Sequence, residues 1–132
     1  TTTAAVTERL GIDGTLLGVD AVSNGELIAK DMTESDIKKL LLSYDESKRH
    51  LIITVIGGQG HIFGRGNQQL SPDVIRMIPK TNIMVIATPI KMSQLFAKPL
   101  LADTGDASLD EDLKGYIPVT TGIGRSIMTK VE

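Results

Sequence analysis

Leu51 to Pro72, LIITVIGGQGHIFGRGNQQLSP, is the stretch on which the reading of this chain turns. Leu51 to Ile56 is an unbroken run of apolar or β-branched residues, which suits a strand covered on both faces. It runs straight into Gly57, Gly58 and Gly60, then Gly64 and Gly66. Closely spaced glycines let backbone N–H groups approach a ligand with no Cβ in the way, although tight turns use glycine for conformation alone. The polar side chains set among them are Gln59, His61, Arg65, Asn67, Gln68 and Gln69. The segment therefore reads as a buried strand emptying into a loop suited to something polar or anionic. It is not the phosphate loop GxxxxGK[ST], because no Lys follows the glycines, and GQGHIFG lacks the GxGxxG spacing of a dinucleotide fingerprint.

Working outward, Ser71-Pro72 supplies a cap and a first helical residue, with Val74, Ile75 and Ile78 as an apolar face before Pro79. Asn82 to Ala87, NIMVIA, is a second continuous apolar strand. Strand, short helix, strand predicts a βαβ unit around residues 51–87 with parallel strands. Thr88-Pro89 then starts a helix over Ile90 to Ala97, so both strands deliver their loops to one edge, where ligand crevices of open α/β sheets lie. Beyond it, Pro99 to Asp106 gives a short strand and a turn, Asp103-Thr104-Gly105-Asp106, whose acids and hydroxyl suit magnesium or sugar hydroxyls as well as a plain turn. Ser108 and Glu111 form a capping box for a helix from Leu109 to Lys114, ended by Gly115. Tyr116 to Thr121 and Arg125 to Val131 read as strands turning at Gly122-Ile123-Gly124, with Arg125 placed to reach an anion.

Upstream, the opening threonines cap a helix from Ala4 to Leu10, closed by Gly11. Thr15 to Val22 and Glu26 to Asp31 flank Ser23-Asn24-Gly25, and Asn-Gly between apolar runs predicts a hairpin, since both residues tolerate positive φ. Thr33 with Asp36 resembles a capping box, and Ile37, Leu40 and Leu41 fall on one face of a helix over Glu34 to Tyr44. Asp45 to His50 is a solvated connector.

The 132 residues have the length of a single domain, 1–132, and an α+β composition of alternating short helices and strands. A net charge of -2 with two Tyr, two Phe and no Trp argues against nucleic-acid binding. No apolar run approaches the roughly 20 residues of a membrane span. Without cysteine there is neither a disulfide scaffold nor a thiolate metal site, and a cytoplasmic setting is the simplest expectation. The start, TTTAAVTERL with no initiating Met, reads like a piece cut from something longer.

Taken together, TTTAAVTERLG followed by TLLGVDAV, the run IGGQGHIFGRGNQQLSPDVIR, the short pieces ATP and DTGD, and GY and TGIGR near the end resemble the ATP-dependent NAD kinases, in the archaeal and bacterial branch akin to acetoin-catabolism protein X. The resemblance covers nearly the whole chain. It implies the mixed α/β, sheet-rich C-terminal domain of a two-domain kinase of the NAD kinase/diacylglycerol kinase-like type. The missing N-terminal domain would resemble phosphofructokinase and carry a Gly-Gly-Asp-Gly motif associated with phosphoryl transfer; GGQG at Gly57 to Gly60 is not that motif. Thr1, Thr2 and Thr3 correspond to the remainder of a Gly-Ser/Thr-Thr nucleotide contact. The complete enzyme would use ATP or polyphosphate with magnesium to phosphorylate the 2'-hydroxyl of NAD. This domain alone would bind nucleotide without catalysis.

The nominated nucleotide contacts are Thr2, Thr3, Gly57, Gly58, Gln59, Gly60, His61, Gly64, Arg65, Gly66, Asn67, Asp103 and Thr104, with no metal ligands and no general base. Two other expectations compete: a regulatory module recognising a phosphorylated metabolite, and an assembly domain that makes the protein a homo-oligomer.

Overall fold

Four strands carry the main sheet, and their order follows from where the apolar runs sit. The computed structural model describes residues 8–9, 18–64 and 67–132. A hairpin comes first, β1 (Ala21–Ser23) and β2 (Glu26–Ala29), and Asn24 and Gly25 take φ of 52° and 75° as its turn requires. Helix α1 (Glu34–Leu42) follows, with the Thr33–Asp36 capping box formed. It stops two residues short of Tyr44. Of the predicted helix over residues 4–10, Glu8 and Arg9 are helical and the rest lies outside the described residues; of the predicted first strand, residues 15–17 lie outside them and residues 18–20 are not strand.

Strand β3 (Leu51–Thr54) pairs in parallel with β5 (Ile83–Ile86), as the apolar runs predict, with the short helix α2 (Pro72–Arg76) between them. Strand β5 pairs in parallel with β7 (Gly115–Gly122), and β7 turns back into antiparallel β8 (Arg125–Val131). The sheet order is thus β3-β5-β7-β8. Pro118 has no N–H to offer a neighbour, and the β5–β7 register extends no further than Val85↔Val119 on its side.

The glycine-rich stretch is not one loop. Between its glycines lies a strand, β4 (His61–Phe63), which pairs in parallel with β6 (Leu101–Ala102). Ile62 and Phe63 are each 4% exposed and belong to the main core, so two apolar residues pull the middle of the loop inside.

Isolated bridges then join the small sheet to the large one. Leu100 lies parallel to Val131, its N–H donating to the Lys130 carbonyl at 2.8 Å, and the Glu132 N–H donates to the Leu100 carbonyl at 2.9 Å. On the other side His61 bridges back to Ile56, just past β3. Backbone pairing therefore runs in a circuit, β3–β5–β7–β8–β6–β4 and back to the end of β3. Three strands run one way and the next three the other, and this directional pattern agrees at every junction. Ile53, Val85, Val119, Val131, Leu100 and Phe63 fill its interior, with Ile75 from α2 and Leu109 and Leu113 from the last helix. A smaller cluster of Met32, Ile37 and Val74 seats α1 and the hairpin on α2.

Two further helix boundaries differ from expectation. Helix α3 (Pro89–Gln94) is capped by Thr88 as predicted but ends well before Ala97, because Phe96 and Ala97 adopt left-handed φ of 52° and 59°. Helix α4 (Ala107–Leu113) starts earlier than the Ser108–Glu111 box predicts. Its N-cap is Asp106, whose carboxylate accepts the Leu109 N–H at 3.1 Å. An ionised side chain is the stronger acceptor, and it wins the position.

Candidate functional site

The parallel strands β3 and β5 place their C-terminal exits on one rim. At the first exit the Ile56 and His61 backbones exchange both hydrogen bonds, at 2.7 and 3.0 Å, and hold Gly57-Gly58-Gln59-Gly60 as a tight four-residue turn. Gly57 and Gly60 have φ of 72° and 79°, a conformation that side-chain-bearing residues rarely take. Within the described residues the N–H groups of Gly57, Gly58 and Gln59 donate no hydrogen bond. Gly60 is fixed further: a Cβ there would meet Leu95 Cδ2 at 3.2 Å, and its carbonyl accepts the Leu101 N–H at 3.0 Å.

At the second exit Thr88 Oγ1 accepts the Lys91 N–H at 3.1 Å and opens α3. The Lys91 side chain then reaches across the rim, and Nζ donates to the Gly57 carbonyl at 2.6 Å. One ammonium thus straps the two strand exits together. Lys91 is the residue that sequence reasoning missed. Its only signal was its position three residues after a cap that follows a parallel strand. The β7–β8 turn emerges at the same end, because β7 is parallel to β5, and brings Arg125 to that side.

The nominated contacts divide into two groups separated by the length of β4. Gly57, Gly58, Gln59, Gly60 and half-buried His61 form the first, on the rim. Gly64, Asn67, Asp103 and Thr104 lie at the opposite end of β4, where the Asp103 N–H donates to the Phe63 carbonyl at 3.1 Å. Thr2, Thr3, Arg65 and Gly66 are outside the described residues.

In the second group the polar atoms serve the fold. Asn67 Oδ1 accepts the Gln69 and Leu70 N–H groups at 3.0 and 2.8 Å, a side-chain-closed turn. The Thr104 hydroxyl donates to Asp110 Oδ1 at 2.6 Å and accepts the Asp106 N–H at 3.2 Å, in a residue that is buried. Asp106 caps α4 and meets Arg76 at 3.3 Å. The Leu109 amide, then Arg76, holds its carboxyl below the usual carboxylate range. Carboxylates engaged in this way do not form a magnesium cage, and among the described residues no three His, Asp or Glu side chains converge on one point.

What the rim offers is therefore amide N–H groups and an ammonium, on glycine turns with little side-chain bulk. That is chemistry for phosphate or another anion. A family model described as the ATP-NAD kinase C-terminal domain matches residues 2–130, almost the entire chain. The chain belongs to this family. No curated protein and no solved structure matches it. Membership accounts for the mixed helices and strands of this kinase domain and for a nucleotide-handling role. It also agrees with the resemblance carried by the IGGQGHIFGRGNQQLSP segment.

Proposed function

We propose that the rim of this NAD kinase domain holds the phosphate groups of ATP or NAD, in an enzyme that transfers a phosphoryl group to the 2'-hydroxyl of NAD. The observation that carries the reading is the Lys91–Gly57 strap: a cation fixed beside a turn whose Gly57, Gly58 and Gln59 amides have no acceptor among the described residues. Phosphoryl transfer depends chiefly on positioning and on charge neutralisation around the migrating group. This chain supplies donors for both tasks. Asp106 and Asp110 are engaged at helix α4, and Asp106 and Asp112 at Arg76; the reading assigns the general base to the separate Gly-Gly-Asp-Gly domain that the family resemblance implies. Within the described residues no helix is long and apolar enough to cross a membrane. With no cysteine to oxidise, the domain suits the cytoplasm, and a cytoplasmic enzyme belongs to the same proposal.

Titration of the 132-residue chain with ATP, NAD and inorganic tripolyphosphate, followed through backbone amide shifts, tests the assignment. Gly57, Gly58, Gln59 and Lys91 are expected to move together. Lys91→Met is expected to weaken binding about tenfold, the loss of one charge-assisted hydrogen bond. Shifts confined to Gly64, Asn67 and Asp103 would transfer the ligand to the far end of β4 and reject the rim.

A further inference from the structure

Strand β8 ends the main sheet, and its edge away from β7 is covered at one end only. There the Leu100 N–H donates to the Lys130 carbonyl at 2.8 Å and the Glu132 N–H to the Leu100 carbonyl at 2.9 Å. Lys130 and Glu132 thus turn their backbone groups away from β7, and by the two-residue repeat of a strand so do Ser126 and Met128. The β7 side agrees: the Thr120 carbonyl, opposite Ser126, accepts the Ala87 N–H at 3.0 Å instead. Among the described residues nothing hydrogen-bonds to the outward N–H and C=O of Ser126 and Met128, or to the Lys130 N–H. The covering stops because the chain reaches β8 only at Leu100. It arrives from α3 through the left-handed Phe96 and Ala97, and the Lys98 N–H turns back to the Leu95 carbonyl at 2.9 Å. From Ser126 to Thr129 the edge carries no proline, charge or bulge, the devices that blunt exposed edges.

Beside this open edge lies a groove of about 560 Å³, walled by Met92, Leu95 and Pro99 and, from β8, by Ile127 and Met128. Its size falls within the range of ligand clefts, roughly 300–1,000 Å³. Backbone donors and acceptors repeating every second residue match another main chain in extended form, and apolar walls suit its alternate side chains. Met92 and Met128 are unbranched and adapt to side chains of different shape. Charge sets the remaining preference. Lys130 Nζ is paired with Glu132 at 3.1 Å, whereas Lys98, also on the groove, is exposed and makes no ion pair among the described residues. We propose that the groove binds an extended peptide segment of a separate protein as a strand added to β8. The segment carries apolar residues at alternate positions against Met92 and Leu95, and an acidic residue that meets Lys98.

Backbone amide spectra and hydrogen exchange of the 132-residue chain test the proposal with two terminally blocked hexapeptides, EVTVTV and KVTVTV. With EVTVTV the Ser126, Met128 and Lys130 amides are expected to shift and to exchange more slowly, and KVTVTV is expected to bind more weakly. Met128→Pro deletes the outward N–H while leaving the bonds to β7 in place, so it should weaken EVTVTV about tenfold with an unchanged circular dichroism spectrum. Should that variant fail to fold, Lys98→Glu at the exposed groove edge gives the reading, because it should reverse the preference between the two peptides. Edge amides that stay unmoved at millimolar EVTVTV overturn the proposal. So does binding indifferent to Met128→Pro, or a peptide preference that Lys98→Glu leaves unaltered. Edge protection that grows with chain concentration in the absence of peptide would give the edge to a second copy, and overturns it as well. Nucleotide binding at the rim is a separate measurement, and neither result alters it.

Discussion

At the scale of single residues, Gly60 shows how tightly the rim is built. Its left-handed φ strains any side chain, and a methyl group would press on Leu95 at 3.2 Å, so Gly60→Ala is expected to cost about 1–2 kcal/mol. Urea denaturation measures this. Gly58 has open space around it and no positive φ, and Gly58→Ala should cost far less. Asp106 gives a prediction with a definite sign. Its pKa in the folded state lies below its ordinary value, so its contribution is complete above about pH 4 and is lost as pH falls through the lowered value. Asp106→Asn should reduce stability at neutral pH and flatten the acid limb of the stability profile; a profile unchanged down to pH 2 would refute it. Local rules made some of these residues legible in advance. Asn24-Gly25 announced its turn through positive φ, and Thr33, Ser71 and Thr88 announced their helices through a short side-chain acceptor. Lys91 was not legible, because its contact spans thirty-four positions and depends on two strand exits being adjacent.

At the scale of elements, the parallel pair β3–β5 was readable from two uninterrupted apolar runs. Strand β6 falls within the short strand expected after Pro99, but strand β4 was not readable. It is only three residues long, and glycines on both sides of HIF hid its apolar pair behind a loop signature. Tertiary burial decided the matter, since Ile62 and Phe63 gain more from the core than the glycines lose in entropy. The same reasoning makes Leu100, fully buried at the junction of the two sheets, the most sensitive point of β6. Leu100→Ala should cost about 2–5 kcal/mol, as cavities of that size do. Its effect on hydrogen exchange should be greatest at the Leu100 and Glu132 amides, which close the junction. Uniform exchange across all strands would mean that the junction does not open on its own.

At the scale of the whole molecule, a single circuit of pairing explains why the nominated contacts did not gather in one place. Strand β4 crosses the interior in the direction opposite to β3, so residues before and after it in the sequence emerge at opposite ends. A glycine-rich segment read as one loop is then two surfaces, one of which carries the Lys91 strap while the other braces α4. No reading of spacing alone could have divided it, since the division depends on β4 finding β6.

The direction of the strands also sets the order in which the molecule can assemble. Within the described circuit only the β7–β8 hairpin and the Ile56–His61 turn join neighbours in the chain, and every other junction of the circuit must wait for a long intervening segment to be gathered in. The search should begin at the hairpin, where little chain freedom is surrendered, and finish when Leu100 docks against Val131. Val119→Ala is therefore expected to slow refolding, whereas Leu100→Ala should chiefly hasten unfolding, a contrast that stopped-flow kinetics would resolve.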